Sequence, residues 1–376
     1  MTDPYVTQTK RKNIPFTPPD SRPSKPRWMV FLQVLIVMMT LIFILLVGYG
    51  VYLYWKLQDT TSQIGTADKV NAADRARVKP VSILILGTDY RKETKSANTD
   101  VIMIATLNPK SKSATLVSVP RDTYMDPQGL RPNKANSFYA AYLYSSSFDS
   151  APDGKEARQL YAMDNIKEVF GRYVDMNIDY VSIVDFKTFE DIIDAFGGLT
   201  IDVDQDMCHN DRADGTNINL KAGIQQLNGK QTLDFVRYRK SMNCRPRTPG
   251  SSDFERNARQ HQVISKLFEK LKSTEGVMKV GNILDAVGNN VKSDIPSQQI
   301  EDMLETYVTI DNTKIDFIHL EGNWDGQYVH ISPEAVAAAT TSLQNQLLPD
   351  GPPTIVQLDE PDMGTDEPVV PADGGS

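Results

Sequence analysis

Histidine and cysteine, which carry much of the nucleophilic and metal chemistry of proteins, are scarce here: 376 residues include four His and two Cys. The histidines are widely spaced and form no metal-ligand pattern, and only His209 lies near the cysteines, which argues against zinc. No G-x-S-x-G, H-E-x-x-H, P-loop or G-x-G-x-x-G occurs. Those absences leave no familiar nucleophile, zinc or nucleotide signature.

One stretch lacks charge altogether and another lacks charge of positive sign. No charged residue occurs between Met29 and Trp55, where Val, Leu, Ile, Met and Phe dominate. A bilayer core needs about 20 apolar residues as helix, so the run spans it with some tilt. A cleaved signal would have a shorter apolar region and a small-residue cleavage site, whereas Tyr54-Trp55-Lys56 follows here. Lys10, Arg11, Lys12, Arg22, Lys25 and Arg27 precede the run, and Lys56 and Lys69 after it are interleaved with Asp59 and Asp68. This asymmetry predicts a cytoplasmic N-terminus and an external remainder, with Trp28 and Trp55 at the two interfaces. Lys and Arg are in turn missing from 351–376, which hold six carboxylates, so six of the eight net negative charges belong to that tail. The acidity is therefore no guide to what the folded part binds.

The expected organisation is a disordered cytoplasmic tail over 1–28, rich in proline; a transmembrane helix over 29–55; a polar stalk over 56–79; one α/β domain over 80–350; and a disordered acidic tail over 351–376. Cys208 and Cys244 fall outside the membrane, where oxidising conditions permit a disulfide contributing about 3–4 kcal/mol in the chain-entropy model; two free buried thiols are the alternative. Apolar runs at 81–86, 101–107 and 114–119 read as strands, and the turn chemistry of 108–113 makes the second and third an antiparallel pair. Helices are expected over 159–170 and 186–196, the latter stopped by Gly197-Gly198, and strands over 180–184 and 199–203. The alternation implies a central sheet flanked by helices. If the first strand joins the pair antiparallel, Asp89, Asp100 and Arg121 share one sheet edge.

Arginines beside acids are the remaining chemical signal. An extended Phe235-Val236-Arg237-Tyr238-Arg239 would aim Arg237 and Arg239 at one face, where guanidinium groups grip phosphate oxygens. Ser252 and Glu255 form a capping box opening a helix, along which Arg256, Arg259 and Gln260 share a face. Arginine in a first helical turn opposes the dipole unless an anion binds there.

Together these segments resemble the LytR–CpsA–Psr family of cell-wall proteins. The resemblance is carried, in the family's order, by Ile85 to Arg91, Thr99 to Met103, Val119 to Thr123, Lys134-Ala135-Asn136 with Ala140-Ala141-Tyr142, Phe235 to Arg239, and Asp253 to Gln260. It implies a membrane-tethered phosphotransferase that moves a glycopolymer, such as teichoic acid or capsule, from a polyprenyl-pyrophosphate carrier to a peptidoglycan sugar hydroxyl. By motif, Asp89 and Asp100 would hold Mg²⁺ or Mn²⁺, and Arg121, Arg237, Arg239, Arg256, Arg259 and Gln260 would surround the pyrophosphate, with Asp253 orienting the arginines. Phosphoryl transfer depends on such positioned cations more than on a covalent nucleophile. A lipid slot is expected between the sheet and the 186–196 helix, opening toward the membrane. Departures are Asn98 in place of an arginine, Ser252 in place of a glycine, and an insertion at 243–250 with Cys244, Arg245 and Arg247; they are expected to alter substrate choice. The competing readings are a hydrolase acting on the carrier's pyrophosphate and a non-catalytic wall-polymer binding or regulatory protein. Nucleic acid is not an expected partner, because the folded part lacks strong positive charge.

Overall fold

A computed structural model describes residues 27–88, 98–144, 152–211, 216–288, 291–307 and 310–352. Of the expected tails at 1–28 and 351–376, residues 1–26 and 353–376 lie outside these residues. The chain divides into two units, Met1–Tyr52 and Leu53–Ser376.

Helix α1 runs from Arg27 to Ile64. Met39, Leu41, Phe43, Ile44 and Leu45 on successive faces are all exposed. A helix apolar all round is at home in lipid or in a protein core, and Met38–Ile64 is long and apolar enough to cross a membrane. The helix stops at Gly65, where an added Cβ would lie 2.5 Å from the Ile295 carbonyl oxygen.

In the second unit, the polar composition of 56–79 led to the expectation of a stalk, but the segment packs onto the domain. Arg75 makes two 2.5 Å hydrogen bonds to the buried carboxylate of Asp302. The Ala76 amide donates to Gln299 Oε1 at 2.6 Å, and Lys56 pairs with Asp285 at 2.6 Å. The charges of Lys56 and Arg75 are paired with carboxylates of the domain, which composition does not reveal.

The main sheet has six strands: β1 (Val81–Thr88), β2 (Thr99–Asn108), β3 (Ser113–Ser118), β4 (Tyr180–Asp185), β5 (Lys292–Ser293) and β6 (Ile315–His319), in the order β5-β4-β1-β2-β3-β6. β1 and β3 flank β2 antiparallel, whereas β4 joins β1 and β6 joins β3 in parallel. Both faces of β1 are covered, with Ile83, Leu84 and Leu86 all buried, which explains its near-continuous apolar run. One face meets α2 (Phe138–Tyr144), α3 (Lys155–Tyr173) and α9 (Pro333–Gln346), through residues such as Phe138, Ile166, Phe170 and Leu343. The other face meets α6 (Asp253–Lys272) and α8 (Ser297–Tyr307) through Phe268, Met303 and Tyr307.

A second core joins α4 (Phe186–Ala195), α5 (Gly229–Arg237) and α6 to two hairpins, 199–203 with 223–227 and 207–210 with 217–220. Helix α7 (Thr274–Gly288) follows α6. α4 ends at Gly197 and Gly198, both at positive φ, +80° and +85°. At Gly198 an added Cβ would also lie 2.6 Å from the Leu227 carbonyl oxygen, so glycine is required there twice over.

The motif 235–239 is not extended. Asn228 and Gln231 form a capping box that starts α5, and the helix carries the chain to Arg237 before Tyr238 ends it at φ −59°, ψ 126°. Cys208 and Cys244 are joined by a disulfide across a Cα separation of 6.0 Å.

Candidate active site

The edge that holds the site begins with an irregularity. Gly87 pairs with Val101 and Thr88 with Thr99, so Asp100 is the extra residue of a β-bulge. A bulge re-aims the side chain it carries. Gly87 permits the close approach, since an added Cβ would meet Val101 Cβ at 2.8 Å. Asp100 thereby receives a 2.6 Å hydrogen bond from Arg121 Nη1, three residues beyond β3. Asp89 lies outside the described residues; Thr88, just before it, pairs beside Asp100.

The turn after β3 is fixed by its backbone. Thr123 N–H donates to the Pro120 carbonyl at 3.0 Å, Asn136 N–H to that of Arg121 at 3.0 Å, and Val329 N–H to that of Asp122 at 2.9 Å. Asp122 pairs with Lys134 at 2.9 Å and lies 3.6 Å from Arg121 Nε. Burial alone would raise the Asp122 pKa, but the hydrogen bond from Lys134 and the charges of Arg121, Lys134 and Arg239 hold it below the usual carboxylate value. Burial would likewise lower the pKa of Arg121, and its two carboxylate neighbours outweigh that to raise it. Both groups are therefore fixed as ions.

Two further elements bring arginines to this edge. Tyr238 is fully buried, its hydroxyl donating to the Pro249 carbonyl at 2.6 Å, and the Ser251 amide closes the loop onto the Arg239 carbonyl at 2.7 Å. With Tyr238 pinned inward, Arg239 faces outward. The Ser252/Glu255 capping box starts α6, and Arg256 and Gln260, one turn apart, present side chains on the same side. A cavity of about 250 Å³ is lined by Asp100, Arg121, Asp122, Arg239, Arg256 and Gln260, with an apolar wall that includes Ile102 and Val119. Trp324, Val329 and His319 complete it. Among the described lining residues, three guanidinium groups face two carboxylates. That volume is small beside typical ligand sites of roughly 300–1,000 Å³. It suits a phosphate-sized anion better than a long hydrocarbon chain.

Three expectations need correcting. Arg259 shares neither the face nor the role of Arg256: it is 2% exposed, makes 2.8 and 2.6 Å bonds to Asp204, and donates to Ser251 at 2.7 Å. Its guanidinium is committed to holding α6 on the second core, because position 259 lies inward of the 256–260 line. Arg237 and Arg239 do not lie on one extended strand either. The helical geometry of α5 puts the Arg237 guanidinium 4.7 Å from the Phe186 ring centroid, and Arg237 is not among the cavity residues. Finally, this cavity is not the expected slot: none of its lining residues comes from α4, and Ile193 packs with Leu199, Ile201 and Phe235 in the second core. The side chain of Asp253 lies outside the described residues.

Asp122, Lys134 and the hairpin carrying Trp324 were not anticipated. Asp122 stands within the 119–123 motif, but nothing in that spacing signals its pairing with Lys134. The hairpin had a signal in Asp325-Gly326 between aromatic residues, a strong turn dipeptide.

Among the described residues no group of three or more His, Cys, Asp and Glu could hold a metal. The oxygen chemistry of half-buried Asp100 nevertheless fits magnesium, which binds through one or two carboxylates with substrate oxygens completing its shell.

The LytR_cpsA_psr family matches residues 47–346. A polyisoprenyl-teichoic acid–peptidoglycan teichoic acid transferase, TagU of Bacillus mycoides (strain KBAB4), is 30% identical over 285 residues, covering 73% of this chain and 83% of that protein. TagV of Bacillus subtilis (strain 168), of the same description, is 27% identical over 301 residues, covering 78% and 71%. The crystal structure of B. subtilis TagV superposes with a TM-score of 0.54 at 26% identity, over 73% of this chain and 99% of that one. A Streptococcus agalactiae protein shares the fold, with a TM-score of 0.56 at 23% identity over 74% and 91%.

Proposed function

This chain belongs to the LytR–CpsA–Psr family, and we propose that it is a membrane-anchored phosphotransferase joining a lipid-linked glycopolymer to peptidoglycan. The observation that carries the proposal is the convergence of Arg121, Arg239, Arg256 and Gln260 on one cavity beside Asp100. Guanidinium forks suit the oxygens of a pyrophosphate, and their charge is positioned before the reaction begins. The relatives TagU and TagV, named as teichoic acid transferases, support the same reading.

In the reaction, a peptidoglycan sugar hydroxyl attacks the phosphorus that bears the glycan. The bond between that phosphorus and the bridging oxygen breaks, polyprenyl phosphate leaves with the bridging oxygen, and the hydroxyl proton is lost to a base. Arg121, Arg239 and Arg256 stabilise charge on the phosphoryl oxygens as it moves toward the leaving group. Asp100 and Asp122 hold Arg121 from two sides. Asp100 and Asp89 would hold Mg²⁺, which when bound neutralises phosphate charge. The cations flanking residues 29–55 support an N-terminus in the cytoplasm and the arginine cavity on the side of the growing wall.

Product analysis tests the proposal. With purified full-length chain, lipid-linked glycan, Mg²⁺ and peptidoglycan in ¹⁸O-water, transfer yields a glycan–peptidoglycan phosphodiester without solvent oxygen. Free glycan phosphate carrying ¹⁸O, without the phosphodiester, would establish hydrolysis in its place.

A further inference from the structure

Residues 322–331 form a hairpin, Gly322–Trp324 pairing with Val329–Ile331, whose inner edge belongs to the cavity through Gly322, Trp324 and Val329. Two contacts couple it to the arginine turn: the Val329 amide donates to the Asp122 carbonyl at 2.9 Å, and Thr123 bridges Val329. The Lys134 ammonium lies 5.4 Å from the Trp324 ring centroid while pairing with Asp122 at 2.9 Å. Trp324 is thus tied to the ion pairs that hold Arg121, yet it remains 54% exposed.

The other face of the hairpin is braced by an aromatic cluster. Tyr124 packs edge-on against Tyr328 at 5.2 Å and lies 5.4 Å from the His330 ring. Tyr124 is itself 38% exposed. The turn is rigid, because Asp325 accepts 2.7 Å hydrogen bonds from the amides of Gln327 and Tyr328 and another from His330 Nε2. A half-exposed indole on a rigid hairpin contributes little to a core. Rings of this kind at a cavity mouth are the usual anchors of recognition, where they add area at low entropic cost.

We infer that Trp324 forms a platform for a pyranose ring adjoining the phosphate cavity. A pyranose has one face of C–H groups, which carry slight positive charge and suit the negative face of an indole. Its rim of hydroxyls needs polar partners, which Asp122, Arg239 and Gln260 supply in the cavity that Trp324 lines. This rests on the transferase reading, and that reading brings two sugars near the reacting phosphorus: the first sugar of the donor and the acceptor sugar of peptidoglycan. The chemistry of the subsite is the same for both.

Calorimetric titration of the full-length chain in nanodiscs separates the sources without needing turnover. The probes are a peptidoglycan disaccharide-peptide, the lipid-linked glycan, and sugar-free polyprenyl pyrophosphate. Trp324→Ala is expected to weaken one of the two sugar-bearing probes by about tenfold or more, the usual cost of truncating an aromatic anchor. Loss confined to the disaccharide-peptide assigns the subsite to the acceptor, and loss confined to the lipid-linked glycan assigns it to the donor. Trp324→Phe, which keeps a π-face and the fold, is expected to retain most of the affinity, and in Trp324→Ala the sugar-free probe should weaken distinctly less than the sugar-bearing one. Three results overturn the inference: no binding of either sugar-bearing probe to the parent chain, unchanged affinity for both in Trp324→Ala, or a parallel loss of the sugar-free probe. Sugar binding through Trp324 with no phosphodiester formed would keep the subsite and remove the transferase reading.

Discussion

Arg121 is gripped by Asp100 and Asp122, whereas Arg239 reaches the cavity on an exposed side chain anchored by buried Tyr238. If both stabilise phosphoryl charge, Arg121→Ala and Arg239→Ala should each lower the transfer rate by roughly 10²–10³-fold, as loss of a preorganised donor does elsewhere. Arg121→Lys should restore little, because an ammonium cannot make the fork. Stopped assays for the phosphodiester measure both. Arg259 belongs to a different account: Asp204→Ala would leave its guanidinium, 3% exposed, without its carboxylate. We predict a loss of about 3 kcal/mol in unfolding free energy for that variant, read by urea denaturation of the outer domain. Asp325 supplies a pH test. Its carboxyl is held at about 2, against an ordinary 3.8, by the Tyr328 amide, then His330 and the Gln327 amide. A depressed folded pKa stabilises above the unfolded value and is lost as pH falls through the folded one, so the hairpin should loosen between about pH 4 and 2. NMR shifts of the Tyr328 amide should report that transition.

Among elements, the strands were the most legible. Val81 to Leu86, Val101 to Leu107 and Ala114 to Val119 are apolar on both faces because the sheet is covered on both, and the observed β1–β2–β3 pairing is antiparallel throughout. That register is why Asp100 and Arg121 could be placed together from spacing alone. The 235–239 segment misled because alternating Arg237 and Arg239 imitate a strand, while the signal that decides the matter, Asn228 with Gln231, lies seven residues upstream as a capping box. Arg259 misled because helical spacing identifies neighbours on a surface but not which neighbour has an acid waiting, here Asp204. The cavity's remaining wall came from residues 319–329, far along the chain, which no local pattern links to Arg121. At this scale Gly198→Ala tests the junction of α4 with the hairpin beginning at Leu199: φ of +85° and the 2.6 Å approach to Leu227 O both oppose a side chain. The expected cost is about 2 kcal/mol or more, measurable as a lowered melting temperature with the cavity's ligand affinity unchanged.

For the whole molecule, a helix able to cross a membrane and an arginine cavity of the LytR–CpsA–Psr fold belong to one chain. The carrier lipid proposed as donor cannot leave the bilayer, so tethering raises the local concentration of enzyme at its substrate. The anchor is then part of the mechanism and not merely an address. Its apolar run was plain in the sequence, whereas the packing of 56–79 onto the domain was not, since a polar segment gives no hint that Asp302 lies buried opposite Arg75. The most direct test of the account reconstitutes full-length chain in liposomes with lipid-linked glycan, Mg²⁺ and peptidoglycan, and measures glycan made covalent to peptidoglycan. The account predicts a phosphodiester-linked product with the parent chain and its near-complete loss in Arg121→Ala; equal yields from the two proteins would contradict it.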